Sequence, residues 1–304
     1  MEKFNRFGNM FPPKEMLDRS YLLAEEPFKI KGNLYSIGNT WCSSHLIDTG
    51  EGLIILDVPC IAEMPYLIDA IWRIGFDPKD IKYIIVSHAH VDHYGCVNAL
   101  KQISGAKTFM GKIDVKDMKE SLERFDDMNK SQHGFNESFV TDVELEDGDI
   151  VELGNTKIRC VLTPGHTIGT MSHFWDLEED GKTYHVGIYG GAGFGSVSTG
   201  ALKRMNLPLS LQEEFGKSID KVWNENVDIM LGNHPFHNDI YDKHERMIAG
   251  EQDAFVDSSE WKRFLTELRD GYTRFLKMSK DEVDNMYKRS AFLNYRNIHN
   301  FENN

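Results

Sequence analysis

The chain lacks several features, and each lack narrows what it can be. It has no CxxC pair; Cys42, Cys60, Cys96 and Cys160 stand apart. With 304 residues, 40% of them hydrophobic, it can bury a sizeable core without a disulfide framework, so the cysteines read as reduced. It has no apolar run long enough to span a bilayer, and its first residues, MEKFNRFGNMFPPKE, lack the basic-then-apolar layout of a secretory leader. The expectation is a cytoplasmic protein with no membrane partner. There is no long Lys/Arg run, and the formal net charge of −14 repels polyanions. A small molecule, not nucleic acid, is therefore the expected partner; no pattern speaks to oligomeric state. No GxSxG elbow occurs, and no cysteine sits in a nucleophile motif. The glycine run YGGAGFGS has no P-loop lysine and opens no helix, which sets aside a phosphate cradle.

What is present is an alternation of short strands and helices. Residues 1–30, with Pro12 and Pro13, read as an irregular N-terminal arm. Strand-like runs follow at 34–37, 45–49 and 53–57, separated by Gly and Asn turn signals. Residues 64–75 have helical spacing through Leu67, Ile68, Ile71, Trp72 and Ile74, with Gly75 as the stop. YIIV (83–86) reads as a buried strand and 94–105 as a helix closed by Gly105. A second β-rich stretch begins near 140, with strands at 149–153, 156–162, 171–176, 183–189 and 227–231. Between the last two lies a helix, 210–223, opened by a Ser210/Glu213 capping box. The tail is helical, with Trp261, Phe264, Leu265, Leu268, Tyr272, Phe275 and Leu276 as its packing stripe and Ser279/Glu282 as a further cap. Two β-rich halves predict two facing sheets with helices outside. The main domain is placed at 31–250, and residues 251–304 form a helical extension packed on it.

The chemistry concentrates in VSHAHVDHYG, residues 86–95. His88 and His90 are two apart at a strand end, so period-two geometry sends both rings to one side. Asp92 and His93 follow where the chain turns toward a helix. Two imidazoles and then a carboxylate–imidazole pair suit two adjacent metal positions. Nitrogen and oxygen donors without thiolate fit Zn²⁺ best, with Fe or Mn as alternatives. His166, in LTPGHTIGT, and His234, in LGNHPFHND, also sit in strand-end loops, where a scaffold holds functional residues. His237 and Asp239, beside His234, stand as substrate contacts or alternative ligands. His234 is preferred because it comes first after the strand. His173 and His185 read as packed or surface residues, and His45, His133, His244 and His299 have no partner motif.

HAHVDH, then PGHT, then a strand-end GNHP, resembles the metallo-β-lactamase superfamily over about residues 30–240. The resemblance implies an α/β fold, an αββα sandwich of two facing mixed β-sheets with outer helices, and a metal site along one edge. It implies one metal held by His88, His90 and His166, and a second held by Asp92, His93 and His234. Asp57, closing the strand LIILD, matches the family acid that supports the ligands. Trp41, in TWCSS, falls in a loop that borders the family pocket; it stands between pocket wall and core tryptophan. One departure matters. Many members have an aspartate bridging the metals after the strand that follows the PGHT loop, but HVGIYGGAGFGS (185–196) holds no acid and no cysteine. That is closest to the third subclass of metallo-β-lactamases. The glycines from Gly190 to Gly195, Gly191 among them, either admit a substrate closely or form a plain turn.

The expected function is hydrolysis of a small cyclic amide or ester, β-lactam-like or a lactone, through a metal-bound hydroxide. Two metals about 3.5–4 Å apart lower the pKa of water from 15.7 to about 7, and Asp92 handles the proton. The segment 111–139 and the C-terminal helices are expected to shape the pocket. The missing leader argues against an enzyme of antibiotic resistance, so a β-lactam reads as an incidental substrate. The alternatives are a thioester or phosphodiester hydrolase of the same fold, an iron-dependent redox member and a binding protein without activity. The redox reading is disfavoured because His90 stands where those members carry Glu and no flavin-binding domain is present. The complete ligand set speaks against an inactive protein.

Overall fold

Strand polarity in this chain follows from what connects the strands. A computed structural model describes residues 6–7, 12–124 and 137–287. Its first sheet runs in chain order: β1 (Phe28–Lys31), β2 (Leu34–Ser36), β3 (His45–Asp48), β4 (Leu53–Leu56), β5 (Ile81–Val86), β6 (Lys107–Gly111) and β7 (Val143–Leu145). Short turns make β1 to β4 an antiparallel meander. From β4 onward the pairs are parallel, because helices such as Met64–Arg73 and Val97–Ser104 fill the crossovers. Covered on both faces, β4 is buried at all four positions and β5 at Ile84, Ile85 and Val86.

The second sheet contains β8 (Ile150–Leu153), β9 (Thr156–Leu162), β10 (Met171–Glu179), β11 (Lys182–Ile188) and β12 (Ile229–Leu231), in the order β12-β11-β10-β9-β8. All its pairs are antiparallel except β11–β12. Its strands alternate. Ile158, Cys160, Trp175, Leu177, Val186, Ile188, Ile229 and Leu231 join Ile54, Leu56 and Ile85 in the core between the sheets. Val161, Phe174 and Met230 point the other way, onto Phe215 and Ile219 of the helix Leu211–Lys221 and Trp261, Phe264, Leu265 and Leu268 of the helix Glu260–Phe275. Helices therefore cover both outer faces, giving the expected αββα sandwich.

Several local expectations are corrected. Trp72 and Leu276 are 54% and 47% exposed, because each lies at the end of its helix, beyond the packed turns. Ser210 makes no capping bond; its backbone is already helical, at φ −59°. At Ser279 the box does form, with Glu282 Oε2 accepting from the Ser279 amide and hydroxyl, both at 2.7 Å. The helix read at 94–105 is Val97–Ser104, ended by Gly105 at φ 69°, and Tyr94 belongs to a separate turn, Val91–Tyr94. Residues 28–30 belong to β1, and a short helix, Lys14–Asp18, precedes it. Residues 1–5 and 8–11 of the arm, residues 125–136 with His133, and 288–304 with His299 lie outside the described residues. All four cysteines are free and buried. Among the described residues no helix is long and apolar enough to cross a membrane.

The sheets are tied along one edge by main-chain bonds. The Met171 amide, at the start of β10, donates to Ser87 O at 2.8 Å, and the Ser43 amide donates to Asn233 O at 2.8 Å. The carboxyl ends of β4, β5 and β12 and the β9–β10 turn all lie beside these two bonds.

Candidate metal centre

Each candidate side chain is presented by a strand that has just ended. β5 stops at Val86; His88 and His90 follow, and His90 N-caps the single turn Val91–Tyr94 that carries Asp92 and His93. The β9–β10 turn is closed by Thr163 N–H to Thr170 O at 2.8 Å and Gly165 N–H to Thr167 O at 2.8 Å. Gly165 has φ 141°, and a Cβ there would lie 2.5 Å from Phe215, so the residue before His166 has to be glycine. After β12 the chain extends through Gly232 and Asn233 to His234.

These segments meet as two triads. His88, His90 and His166 bring one donor atom each within 4.8 Å of one another, and so do Asp92, His93 and His234. The rings of His90 and His166 are 4.6 Å apart, and those of His93 and His234 5.1 Å. Asp92 Oδ2 lies 3.5 Å from His93 Nε2 and 3.8 Å from His234 Nε2. Five of the six residues are buried; His90 is half-buried. The six side chains singled out by sequence are therefore brought together in the expected groups of three.

The far nitrogens of four rings are tied down. His166 Nδ1 lies 2.6 Å from Gly193 O and His234 Nδ1 2.5 Å from Trp41 O. A carbonyl only accepts, so both Nδ1 atoms carry the proton. His93 Nδ1 donates to Asp57 Oδ2 at 3.0 Å. The Ser87 hydroxyl donates to Asp57 Oδ2 at 2.7 Å, which leaves its oxygen to accept from His88 Nδ1 at 2.9 Å. In each ring Nε2 keeps its lone pair, the tautomer a metal ligand needs. Asp57 is the hub. It also accepts the Ser87 amide at 2.7 Å and lies 3.3 Å from Asn233 Nδ2. Its φ of 56° turns the chain out of β4.

Charge follows this geometry. Burial is the main cause that holds His88 well below the usual imidazole range, His90 at about 3, and His166 and His234 at about 4. His93 is the exception. Burial lowers it, but Asp92 and Asp57 outweigh that and raise it. Burial would raise Asp57, yet His93 and the bonds from His93 and Ser87 hold its carboxyl below the ordinary value. Two carboxyl groups, Asp92 and Asp57, thus flank His93. His88 Nε2 and His93 Nε2 are buried with no hydrogen-bond partner among the described residues. Leaving such atoms unmet costs roughly 1–3 kcal/mol each. Two sets of oriented nitrogen and oxygen donors fit divalent metal ions, zinc first by donor type.

The remaining candidates fall outside the triads. The Trp41 indole is in the core, 1% exposed, and its carbonyl accepts from His234 Nδ1. The His237 ring is buried against Phe7, Phe236 and Phe264, and Asp239 pairs with Arg6 at 3.4 Å. Gly191 backs onto His166, where a Cβ would lie 2.5 Å from Cδ2; Gly190 backs onto Met171 O at 2.0 Å by the same measure. The glycine run is packed by its own chain. His173 is buried, and His185 pairs with Asp176 at 2.7 Å near the surface. Sequence reasoning missed the supports. Asn39 Oδ1 accepts the Trp41 and Cys42 amides, both at 2.8 Å, and Cys42 Sγ donates to Asp92 O at 2.6 Å. His45 Nε2 lies 3.2 Å from Gly232 O. Asp114 is fully buried and bonded to three donors; burial, working against those bonds, raises its carboxyl to about 7. Only Asn39, immediately before TWCSS, had a readable signal, as a turn former.

Comparison with known proteins agrees with this geometry. The family profile described as metallo-beta-lactamase superfamily matches residues 39–180. Native FEZ-1, a metallo-beta-lactamase from Legionella gormanii, superposes with a TM-score of 0.75 at 30% identity, covering 84% of this chain and 97% of that one. The chain belongs to the metallo-β-lactamase superfamily. BJP-1 of Bradyrhizobium japonicum, a subclass B3 enzyme, shares the fold at a TM-score of 0.74 and 23% identity, over 86% of this chain and 97% of that one. A probable polyketide biosynthesis zinc-dependent hydrolase of Bacillus subtilis, PksB, is 27% identical over 96 residues, 32% of this chain. That match spans 35% of PksB, about a third of its length. Metal-dependent hydrolase is the class that this membership and the two triads support.

Proposed function

We propose that the chain hydrolyses a small cyclic amide or ester, a lactam or lactone, with two divalent ions, zinc by preference. His88, His90 and His166 would hold one and Asp92, His93 and His234 the other. The observation that carries this reading is the pair of donor triads with their ring nitrogens already turned inward. Bound ions would supply Lewis acidity and bring the pKa of water from 15.7 to about 7. The chain supplies the rest. Four rings fixed through Nδ1 keep the donors in place before anything binds, so little reorganisation is left for the reaction. Asp92 turns one oxygen, Oδ2, toward both His93 and His234, and its other oxygen would take up and return a proton. His90 is the most exposed of the six, and substrate would approach from its side.

The choice of a cyclic amide or ester over a thioester rests on residues 185–196, which hold no acid, and on the likeness to FEZ-1. The test is metal analysis of purified protein, followed by a panel of lactams, lactones, thioesters and phosphodiesters with added zinc. Turnover of a lactam or lactone that chelation abolishes and zinc restores is the expected result. Stoichiometric iron with dioxygen chemistry, or turnover that survives removal of every divalent ion, would overturn the proposal.

A further inference from the structure

We infer that Asp114 is the positioning residue of the three-histidine triad, acting on that triad and not on its neighbour. The inference rests on the two-ion reading above. Asp114 lies in the first turn of the helix Lys112–Arg124 and is fully buried. Its Oδ2 accepts the Ala89 amide at 2.8 Å and the Thr167 hydroxyl at 2.6 Å, and its Oδ1 accepts the Gly169 amide at 2.6 Å. Ala89 separates His88 from His90, and Thr167 follows His166. One carboxylate thus joins the peptide that carries two donors to the turn that carries the third.

The packing is built around this contact. A Cβ on Gly169 would lie 2.4 Å from the Asp114 amide nitrogen, and one on Gly111 would lie 2.5 Å from Gly169 O. The turn is pressed onto the start of the helix at two positions that admit no side chain. Three converging donors call for a group that accepts with both oxygens, as the Asp114 carboxyl does here. Among the described residues, no bond of Asp114 runs to the segments of Asp92, His93 or His234. Other contacts support those residues: Trp41 O and the Asn39 turn hold His234, Cys42 Sγ holds the Asp92 carbonyl, and Asp57 holds His93 while reaching His88 through Ser87. Loss of Asp114 therefore leaves the supports of the second triad in place.

The test uses Asp114→Asn, which turns an N–H₂ toward one of the donors, and Thr167→Val, which removes one bond of the three. Chelator competition would measure zinc affinity at each site, and ¹¹³Cd resonances would tell the sites apart. His90→Ala and His234→Ala assign the resonances. Asp114→Asn should weaken the ion that His90→Ala also loses by ~10–100-fold, the range for residues that orient ligands, and leave the other unchanged. Thr167→Val should weaken the same ion by less. Equal weakening of both ions, as from a general loss of stability, would overturn the inference, and so would wild-type affinity at both. Should Asp114→Asn fail to fold, Thr167→Val decides on the same criterion. A wild-type protein that takes no ion sinks the two-ion reading and this inference with it. A wild-type protein with two ions and an indifferent Asp114→Asn sinks the inference alone.

Discussion

Asp57→Asn tests how the two triads are held. Asparagine is the replacement to use because residue 57 has φ 56°, which asparagine tolerates better than most side chains. Asp57 receives the Ser87 amide at 2.7 Å, the Ser87 hydroxyl at 2.7 Å and His93 Nδ1 at 3.0 Å. An amide offers one oxygen, so one donor must face its N–H₂, a loss of roughly 1–3 kcal/mol for a buried unpaired group. The bonds that survive change from charge-assisted to neutral and weaken by about 1 kcal/mol each. The sum is roughly 3–5 kcal/mol, toward the upper end for a single substitution. His93 also loses the carboxylate that orients it, so zinc affinity at its triad should fall ~10–100-fold. Urea denaturation of zinc-free protein reads the first quantity and chelator competition the second. The sign with pH follows from Asp57 being held below its ordinary value. Its contribution is complete above about pH 4, where an unfolded aspartate ionises, and is lost as pH falls through the lower folded value. The Asp57 carboxyl itself adds no slope between about pH 5 and 8, but it helps to raise His93, so the difference between wild type and variant should shrink as pH rises from about 6.5 through the raised folded value of His93. A difference under about 1 kcal/mol at pH 7, with zinc affinity unchanged, would refute the hub role.

Asp92→Asn should lower kcat by ~10²–10⁴-fold if its carboxylate moves the proton, and steady-state assays on metal-loaded protein, with metal content measured in parallel, check it. Chelation should lower the thermal midpoint, since ions that bind only the folded chain stabilise it by about 2.7 kcal/mol at a hundredfold excess over Kd; a thermal scan with EDTA and zinc add-back reads this. Buried His173 is kept neutral down to about pH 4, so between pH 6.5 and 4 the unfolded chain takes a proton that the folded one refuses. That contributes a loss of roughly 3 kcal/mol on acidification, which His173→Leu should remove in urea titrations of zinc-free protein across that range. Burial pushes both Lys243 and Glu260 toward their neutral forms although they pair at 2.6 Å. Lys243→Met should therefore cost ~3–5 kcal/mol by stranding the acid, whereas the double change Lys243→Met with Glu260→Leu should recover most of it in the same denaturation assay.

The legible part of this molecule was the local part. HAHVDH packs four donors into six residues, and a strand end dictates where the first two point. The same holds for burial: Ile158 and Cys160 against Val161, and Ile229 and Leu231 against Met230, divide between the two faces as period two requires. β6 escaped notice because KTFMG is five residues long and mixes Lys, Thr and Gly with two apolar side chains. Trp72 misled because helical spacing marks a face without saying how many turns of it are covered. Asp114 and His45 were illegible for a different reason. Each acts on a peptide unit of another segment, such as Ala89, Gly169 or Gly232, and a backbone amide or carbonyl leaves no trace in the residue type. Asp114 reads as an ordinary acid in a first helical turn, where any carboxylate is favoured.

The seating of the His166 ring on Gly191 has an evolutionary consequence. A lineage starting from this chain has no one-step path to an acid at 191. The first atom of any new side chain would displace an imidazole before the carboxyl could be of use. The turn around Thr163 to Thr170 would have to be remodelled first, and the intermediates would be poor at holding their ion. Divergence toward a different donor set is thus steered away from this corner of the site, toward the loops that do not touch it.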